Sequence, residues 1–168
     1  MNTVLILGID PGLERIGYGL VLREGSRLTA VDFGLIQTPR VELALRLQEI
    51  YRAVTEVLEK HRPDALAAER LLFTVNKTTA MDVAKAVGVI LLAGSQQGLV
   101  VAEYSPPEVK QSVVGNGSAD KKQVQFMVTR ILGLKEPPKP DDVADALAVA
   151  ITHAMRSRMQ IPPSGPAR

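Results

Sequence analysis

Five carboxylates in this sequence lie where a folded chain could bring them together. Asp10 follows an apolar run and precedes a Pro-Gly turn, and Glu69 closes a second short apolar run. Asp141, Asp142 and Asp145 begin an apolar segment with helical spacing, in which residues three or four apart share a face. A carboxylate at the end of a buried strand is costly unless a cation or hydrogen-bond donors compensate it. We therefore expect four of these acids to converge in one cation site.

The chemistry of these donors predicts which cation would bind. The sequence has no cysteine, and neither of its two histidines is placed to join the acids. An all-oxygen set of ligands suits Mg²⁺ or Mn²⁺. Two such ions, roughly 3.5 to 4 Å apart, promote phosphodiester hydrolysis by activating water and stabilising the leaving oxygen. The acids would then be metal ligands rather than a general acid/base pair.

Each acid taken alone also has a structural interpretation. Asp10 before Pro-Gly suits a turn, and Glu69 at a strand end suits exposure to solvent. Asp141 or Asp142, after Pro140, suits the N-terminus of a helix. The combination favours a functional site, because a silent site has no reason to hold so much unpaired charge.

Hydrophobic periodicity predicts the elements that must position these acids. Strands are expected over residues 3–10, 18–23, 28–38, 64–69 and 99–104, and helices over 43–62, 76–97, 107–113, 119–132 and 141–156. Short connections make the first three strands antiparallel, and helical connections make strands one, four and five parallel. The sequence thus predicts an α/β fold, a five-stranded mixed β-sheet with helices on both faces. Asp10 and Glu69 would lie at one edge of that sheet.

Length and composition predict one domain over residues 1–157 and a disordered tail over 158–168. The chain is 46% hydrophobic and 23% charged, and we expect neither a bilayer-spanning segment nor a signal peptide. The lack of cysteine is compatible with a reducing cytoplasm. The net charge is only +2, but residues 105–135 carry five basic residues against two acidic ones. This modest local excess of positive charge would favour the binding of a polyanion.

Four segments, in order, resemble those of the RuvC family of bacterial Holliday-junction resolvases. They are Gly-Ile-Asp-Pro-Gly at 8–12, Ala-Glu at 68–69, residues 109–119 with Gly-Asn-Gly-Ser, and Asp-Val-Ala-Asp-Ala-Leu-Ala at 142–148. The resemblance extends over residues 3–155. It implies a ribonuclease H-like fold and a homodimer that makes metal-dependent paired nicks in opposed strands of a four-way DNA junction. It further implies a role in DNA recombination and repair, in the cytoplasm, with a branch-migration motor complex as partner.

The resemblance assigns roles to the acids. Asp10, Glu69, Asp142 and Asp145 match the family's acidic tetrad, which makes them both catalytic and metal-binding. Asp141 is then an extra carboxylate, so the choice of Asp142 depends on the match of the Asp-x-x-Asp-Ala-Leu segment. The implied products are a 3′-hydroxyl and a 5′-phosphate.

Three lysines are also implicated. Lys110 and Lys121 match basic positions near the scissile phosphate in the family, and we count Lys121 with the catalytic residues. Lys122 is adjacent and is expected to share the neutralisation of phosphate. The alternative for each lysine is an ordinary solvated surface position.

The segment after Glu69 is a candidate DNA contact. It contains Leu72, Phe73 and Asn76, and an apolar side chain there could meet unstacked bases at a junction centre. The family often has an aromatic residue at the position that matches Leu72, whereas the aromatic residue here is Phe73. Packing of these apolar residues under the next helix is the alternative.

Three other classes of protein share features with this sequence. An ATPase of the actin and sugar-kinase type has a similar first phosphate loop but needs two large lobes, for which 168 residues leave no room. A catalytically silent junction-binding module would have no need of the acids. Another ribonuclease H-like metal-dependent nuclease with a different nucleic-acid substrate is the principal alternative.

Overall fold

The computed structural model of the chain describes residues 3–72 and 77–157. Within these residues it has five strands and five helices. They are β1 (Thr3–Asp10), β2 (Arg15–Glu24), β3 (Arg27–Gln37), α1 (Leu43–His61), β4 (Ala65–Glu69), α2 (Lys77–Gln96), β5 (Val100–Tyr104), α3 (Pro106–Val114), α4 (Lys121–Ile131) and α5 (Asp141–Arg156). The order and type of these elements are those expected from the sequence.

Most boundaries lie within one residue of expectation, and two differ by two or more residues for local reasons. β2 begins at Arg15 rather than 18, because Asp10 pairs with Gly17 and only residues 11–14 remain for the connection between β1 and β2. α4 begins at Lys121 rather than 119, because the side chain of Asp120 caps the helix and ends the preceding loop.

The sheet has the predicted mixed topology. Its strand order is β3-β2-β1-β4-β5, in which β1 pairs antiparallel with β2 and β2 with β3. β4 is parallel to both β1 and β5, as helical connections require. The carboxyl ends of β1, β4 and β5 therefore lie at one edge of the sheet.

Helices cover both faces of the sheet, because its central strand buries alternate residues in opposite directions. Leu7 packs in a core with residues from α1 and α2, such as Val54 and Ile90. Ile6 packs in the other core, with residues of α3, α4 and α5, among them Leu147. The expectation of an α/β sheet with helices on both faces is confirmed.

Glycines allow α5 to lie directly against β1 and β2. A Cβ atom at Gly8 would overlap the backbone of Ala146, and one at Gly17 would overlap the carbonyl group of Asp142. Within α5, every residue from 146 to 154 is buried, so the helix forms the centre of its layer. This close approach fixes the height of the first turn of α5 over the sheet.

Several expectations fall on the undescribed parts of the chain. Phe73, Asn76 and the proposed tail 158–168 lie outside the described residues, and the division into a domain over 1–157 and a tail stays a prediction. In residues 3–72 and 77–157, no helix combines the length and the apolar character that crossing a membrane requires.

Candidate active site

Asp10 and Glu69 end two neighbouring parallel strands. The register of β1 and β4 pairs Ile9 with Ala68, so the two acids are the next residues on their strands. Both residues are half-buried. The structure thus brings these two acids to the common edge that the strand pattern indicated.

The first turn of α5 carries the other two acids to this edge. Asp10 pairs with Gly17 across β1 and β2, and the backbone of Asp142 rests on Gly17 without room for a side chain. Asp145 is one helical turn further on and, like Asp142, is half-buried. The absence of a side chain at Gly17 therefore allows α5 to bring both acids over the end of β1.

The pKa values indicate that the acids act on one another. Burial, followed by the charges of Glu69, Asp145 and Asp142, raises the pKa of Asp10 to about 8. Burial and the charge of Asp145 raise the pKa of Glu69 to about 7. Burial also raises the pKa of Asp145, against the opposing effect of Lys121. These carboxylates share one poorly solvated volume, where their negative charges repel.

Lys121 is the cation that the fold supplies to this cluster. Its Nζ lies 3.3 Å from Oδ2 of Asp145 and 3.3 Å from Oδ2 of Asp141. Partial burial alone would lower the pKa of Lys121, but these two carboxylates raise it. Gln125 donates to the other oxygen of Asp141, at 2.9 Å. Asp141, the extra carboxylate of the sequence, thus helps to orient Lys121 toward the cluster.

A cleft of about 190 Å³ opens beside the acids. Lys110, Lys121, Glu69 and Asp145 line it, so two cations and two carboxylates border the same space. The charges of both lysines lower the pKa of Glu69 and oppose the effect of burial. Lys122 is exposed and is not among the residues that line this cleft.

Local capping fixes the two helices that carry the lysines. Ser105 and Glu108 form a capping box at the start of α3, and Gly115 ends the helix in a left-handed conformation with φ of 82°. Asp120 and Gln123 form the equivalent box at the start of α4. Lys110 and Lys121 are therefore presented by consecutive, well-terminated helices.

Arg15 is a member of the site that the sequence analysis missed. Its guanidinium group donates to Oδ2 of Asp142 through both Nε, at 3.1 Å, and a terminal nitrogen. The side chains are 49% and 25% exposed, so the pair lies at the rim of the site. No spacing rule connects two residues so distant in sequence, although the closeness of Arg15 to Gly17 could have drawn attention to it.

The carboxylates fit a hard divalent cation by their chemistry. Four carboxylate groups supply only oxygen, and the raised pKa of Asp10 reflects its burial first and the neighbouring negative charges second, both of which a bound cation would offset. In the arrangement described, no three acidic or histidine side chains within residues 3–72 and 77–157 already surround one point. Arg15 and Lys121 instead pair with Asp142 and Asp145. To bind a metal ion, Asp142 and Asp145 would have to give up these two ion pairs.

A second cleft, of about 290 Å³, also borders Glu69. Asp10 and Leu72 are among the residues that line it, and Leu72 is 46% exposed. Leu72 is thus available at the site rather than packed under α2. Phe73 and Asn76, the other candidates of this segment, lie outside the described residues.

Neither histidine belongs to the acidic cluster, in agreement with the sequence analysis. His61 ends α1, and its Nε2 lies 2.9 Å from Oδ2 of Asp32. His153 is buried and its Nδ1 lies 2.9 Å from the hydroxyl of Tyr104.

Comparisons with known proteins identify the family. The family model for crossover junction endodeoxyribonuclease RuvC matches residues 6–153. RuvC of Syntrophomonas wolfei is 50% identical over 155 residues, which cover 92% of this chain and 90% of that protein. Thermus thermophilus RuvC, solved in complex with Holliday junction substrate, has a TM-score of 0.84 and 37% identity and covers 93% of this chain and 96% of its own. The ribonuclease H-like fold is thereby confirmed, and the chain belongs to the RuvC family of crossover junction endodeoxyribonucleases.

Proposed function

We propose that this chain resolves Holliday junctions by metal-dependent nicking of two opposed DNA strands, in recombination and DNA repair. The main observation behind this proposal is that one sheet edge holds four acids beside a cleft lined by two lysines. The acids are Asp10, Glu69, Asp142 and Asp145. Family membership supports the reaction, and the Thermus thermophilus relative was solved with a Holliday junction.

The four acids are the proposed metal ligands and catalytic residues. Nucleases of the RuvC family depend on metal ions, and an all-carboxylate set favours Mg²⁺ or Mn²⁺. Two ions, when bound, would activate water and stabilise the leaving oxygen of a phosphodiester. Asp10 and Glu69 provide the fixed half of the set because β1 and β4 hold them in register, whereas Asp142 and Asp145 must leave their basic partners.

Lysines are the proposed contacts to the scissile phosphate. Lys110 and Lys121 line the same cleft as Glu69 and Asp145, where a phosphate group would meet both positive charges and carboxylates. Lys121 has a further role, because release of Asp145 to a metal would free its ammonium group for the substrate. Lys122, on the exposed surface beside it, would neutralise an adjacent phosphate.

The segment after β4 is the proposed contact to the junction centre. Leu72 borders the cleft that contains Asp10, and its exposed side chain is available for bases that have lost their stacking. Phe73 and Asn76 follow within four residues in the sequence. Their assignment as DNA contacts rests on the resemblance to the family.

Paired nicking requires two active sites, and the described residues contain one cluster of these four acids. We therefore propose a homodimer, in which each protomer cuts one of two symmetry-related strands. A cytoplasmic location and cooperation with a branch-migration motor complex are further parts of the proposal, and both rest on the resemblance.

The test compares a synthetic four-way junction with a linear duplex of matched sequence. Each is incubated with the chain and Mg²⁺ or Mn²⁺, or with EDTA, and the strands are resolved on denaturing gels. Paired nicks in the junction alone, lost in EDTA, are expected. Equal cutting of both substrates would leave a ribonuclease H-like nuclease with another substrate. Junction binding without cutting would favour a silent module.

A further inference from the structure

The exposed face of α4 carries an unusual charge pattern. Residues 121–135 include four basic side chains and no acidic one. Lys122, Phe126 and Arg130 are spaced four residues apart, and all three are exposed, whereas Val124 and Val128 are buried on the other side of the helix. These three residues form a stripe along the helix, called here the α4 stripe.

Phe126 and Arg130 are coupled within the stripe. The guanidinium carbon of Arg130 lies 5.6 Å from the centre of the Phe126 ring, a cation–π arrangement. Phe126 is nevertheless 59% exposed, so the ring does not contribute to the core. Stacking on a ring orients a guanidinium while leaving its N–H groups free to bind other acceptors. Phe126 therefore presents Arg130 to solvent in a restricted geometry.

The two charged members of the stripe form no ion pair within the described part of the chain. The ion pairs of the described residues involve neither Lys122 nor Arg130. A groove of about 430 Å³ beside Arg130 has a further basic residue, Arg27, and the half-exposed Met155 in its lining. The basic surface thus continues from Lys121 at the active-site cleft to the turn between β2 and β3.

We propose that the α4 stripe is a phosphate-binding track on which a duplex arm of the DNA substrate lies as it leaves the active-site cleft. This inference rests on the proposed function. Two features favour DNA over a protein partner: α4 itself carries cations and no acid, and it begins at Lys121, which lines the active-site cleft. Eight residues of helix extend about 12 Å, which matches three to four base-pair steps of duplex at about 3.4 Å each.

Each residue of the α4 stripe has a separate role in this proposal. Lys122 and Arg130 contact phosphates of the duplex backbone, so their contribution is independent of sequence and sensitive to salt. Phe126 is a positioning residue, which holds Arg130 toward the duplex without a charge of its own. Because the stripe lies outside the acidic cluster, its loss should weaken binding without slowing the chemistry of a bound junction.

The test measures the affinity of a four-way junction at several salt concentrations without divalent metal, by fluorescence anisotropy. The variants are Lys122→Gln with Arg130→Gln, and Phe126→Ala alone. A control with the same change of net charge is Arg52→Gln with Lys85→Gln, on α1 and α2. The slope of log K against log salt should fall by about two in the double variant, and affinity at 0.1 M salt by roughly 50-fold. Phe126→Ala should lower the slope by up to about one, although no charge is removed.

Single-turnover nicking at saturating protein completes the test. Arg130→Gln alone, which leaves the lysines of the site intact, should nick bound junction at the native rate, and the control pair should keep the native salt slope. A slope in the double variant equal to that of the control would overturn the track. So would a change of oligomeric state in sedimentation with unchanged salt slope, which would identify a protein contact. Failure of the native chain to nick any junction would instead contradict the proposed function.

Discussion

Arg15 and Asp142 are separated by 127 residues in the chain, yet the guanidinium group of Arg15 donates to Oδ2 of Asp142. The pair joins the start of β2 to the first turn of α5. It also gives a proposed metal ligand an internal cation as its partner. A divalent ion that binds at Asp142 must therefore compete with Arg15, and Arg15 becomes a determinant of metal affinity.

Replacement of Arg15 by glutamine should strengthen metal binding. A partly exposed ion pair contributes up to about 1 kcal/mol, so its removal should tighten the binding of Mn²⁺ about two- to fivefold. Isothermal calorimetry of the DNA-free protein measures this directly. The matched control is Arg40→Gln, because Arg40 forms an exposed ion pair with Glu14 at 3.0 Å and carries the same charge. Equal effects of the two substitutions would contradict a specific competition at Asp142.

Ionisation of Asp10 should make the metal-free protein less stable. Burial and the neighbouring acids raise the pKa of Asp10 from 3.8 to about 8. Between about pH 4 and pH 8 the folded chain keeps a proton that the unfolded chain has lost, so the free energy of unfolding falls as pH rises. We expect Asp10→Asn to reduce this fall and to exceed the native chain in stability at pH 8 by roughly 1–3 kcal/mol.

Urea denaturation in EDTA at pH 5 and pH 8 gives the required comparison. The difference between the variant and the native chain should be small at pH 5 and larger at pH 8. A variant that loses the same stability at both pH values would mean that Asp10 contributes by packing or hydrogen bonding, and not through an unfavourable charge.

Loss of the Lys121 ammonium group should slow the cutting of a bound junction. Lys121 pairs with Asp145 and lines the cleft, so Lys121→Ala removes a positive charge that contacts the acidic cluster. We expect single-turnover nicking to fall about 10²- to 10³-fold, the usual effect of losing a group that stabilises developing charge. Lys122→Ala is the control, since this neighbour should affect binding alone. If the two variants lost nicking rate equally, both lysines would act only through their general positive charge.

A side chain at Gly17 should disrupt the site through the backbone. The added Cβ of Gly17→Ala would overlap the carbonyl group of Asp142, so α5 must move away from β2. We expect a loss of about 2–4 kcal/mol in the free energy of unfolding, together with weaker metal binding. In Gly88→Ala, on α2, the new Cβ meets nothing within 4 Å and should stabilise the helix by up to about 1 kcal/mol. Urea denaturation separates the two cases, and equal stability of both variants would contradict close packing at Gly17.

Much of the architecture could be predicted because local patterns and global packing agree. The apolar run that ends at Asp10 and the helical periodicity of α5 identified these elements, and parallel pairing then required Asp10 and Glu69 to share an edge. The capping of α4 by Asp120 shifted its start by two residues, which periodicity alone does not reveal.

The partners of the acids were less predictable than the acids themselves. Arg15 meets Asp142 only through the packing of α5 on β2, which depends on the lack of a side chain at Gly17. Likewise, Asp141 was an extra carboxylate in the sequence, and only the folded chain gives it Lys121 as a partner. Such contacts join distant segments, so no local spacing indicates them.

The proposed catalytic centre is tested most directly by single-turnover nicking of a four-way junction with Mn²⁺, using four variants and one control. The variants are Asp10→Asn, Glu69→Gln, Asp142→Asn and Asp145→Asn, and the control is Asp141→Asn. Each of the four should retain junction binding and lose at least about 10³-fold in nicking rate, as removal of a metal ligand or catalytic group commonly does. Asp141→Asn should remain within about tenfold of the native rate, because it only orients Lys121. A native nicking rate in any of the four variants, or an equal loss of rate in the control, would contradict the assignment of these four acids.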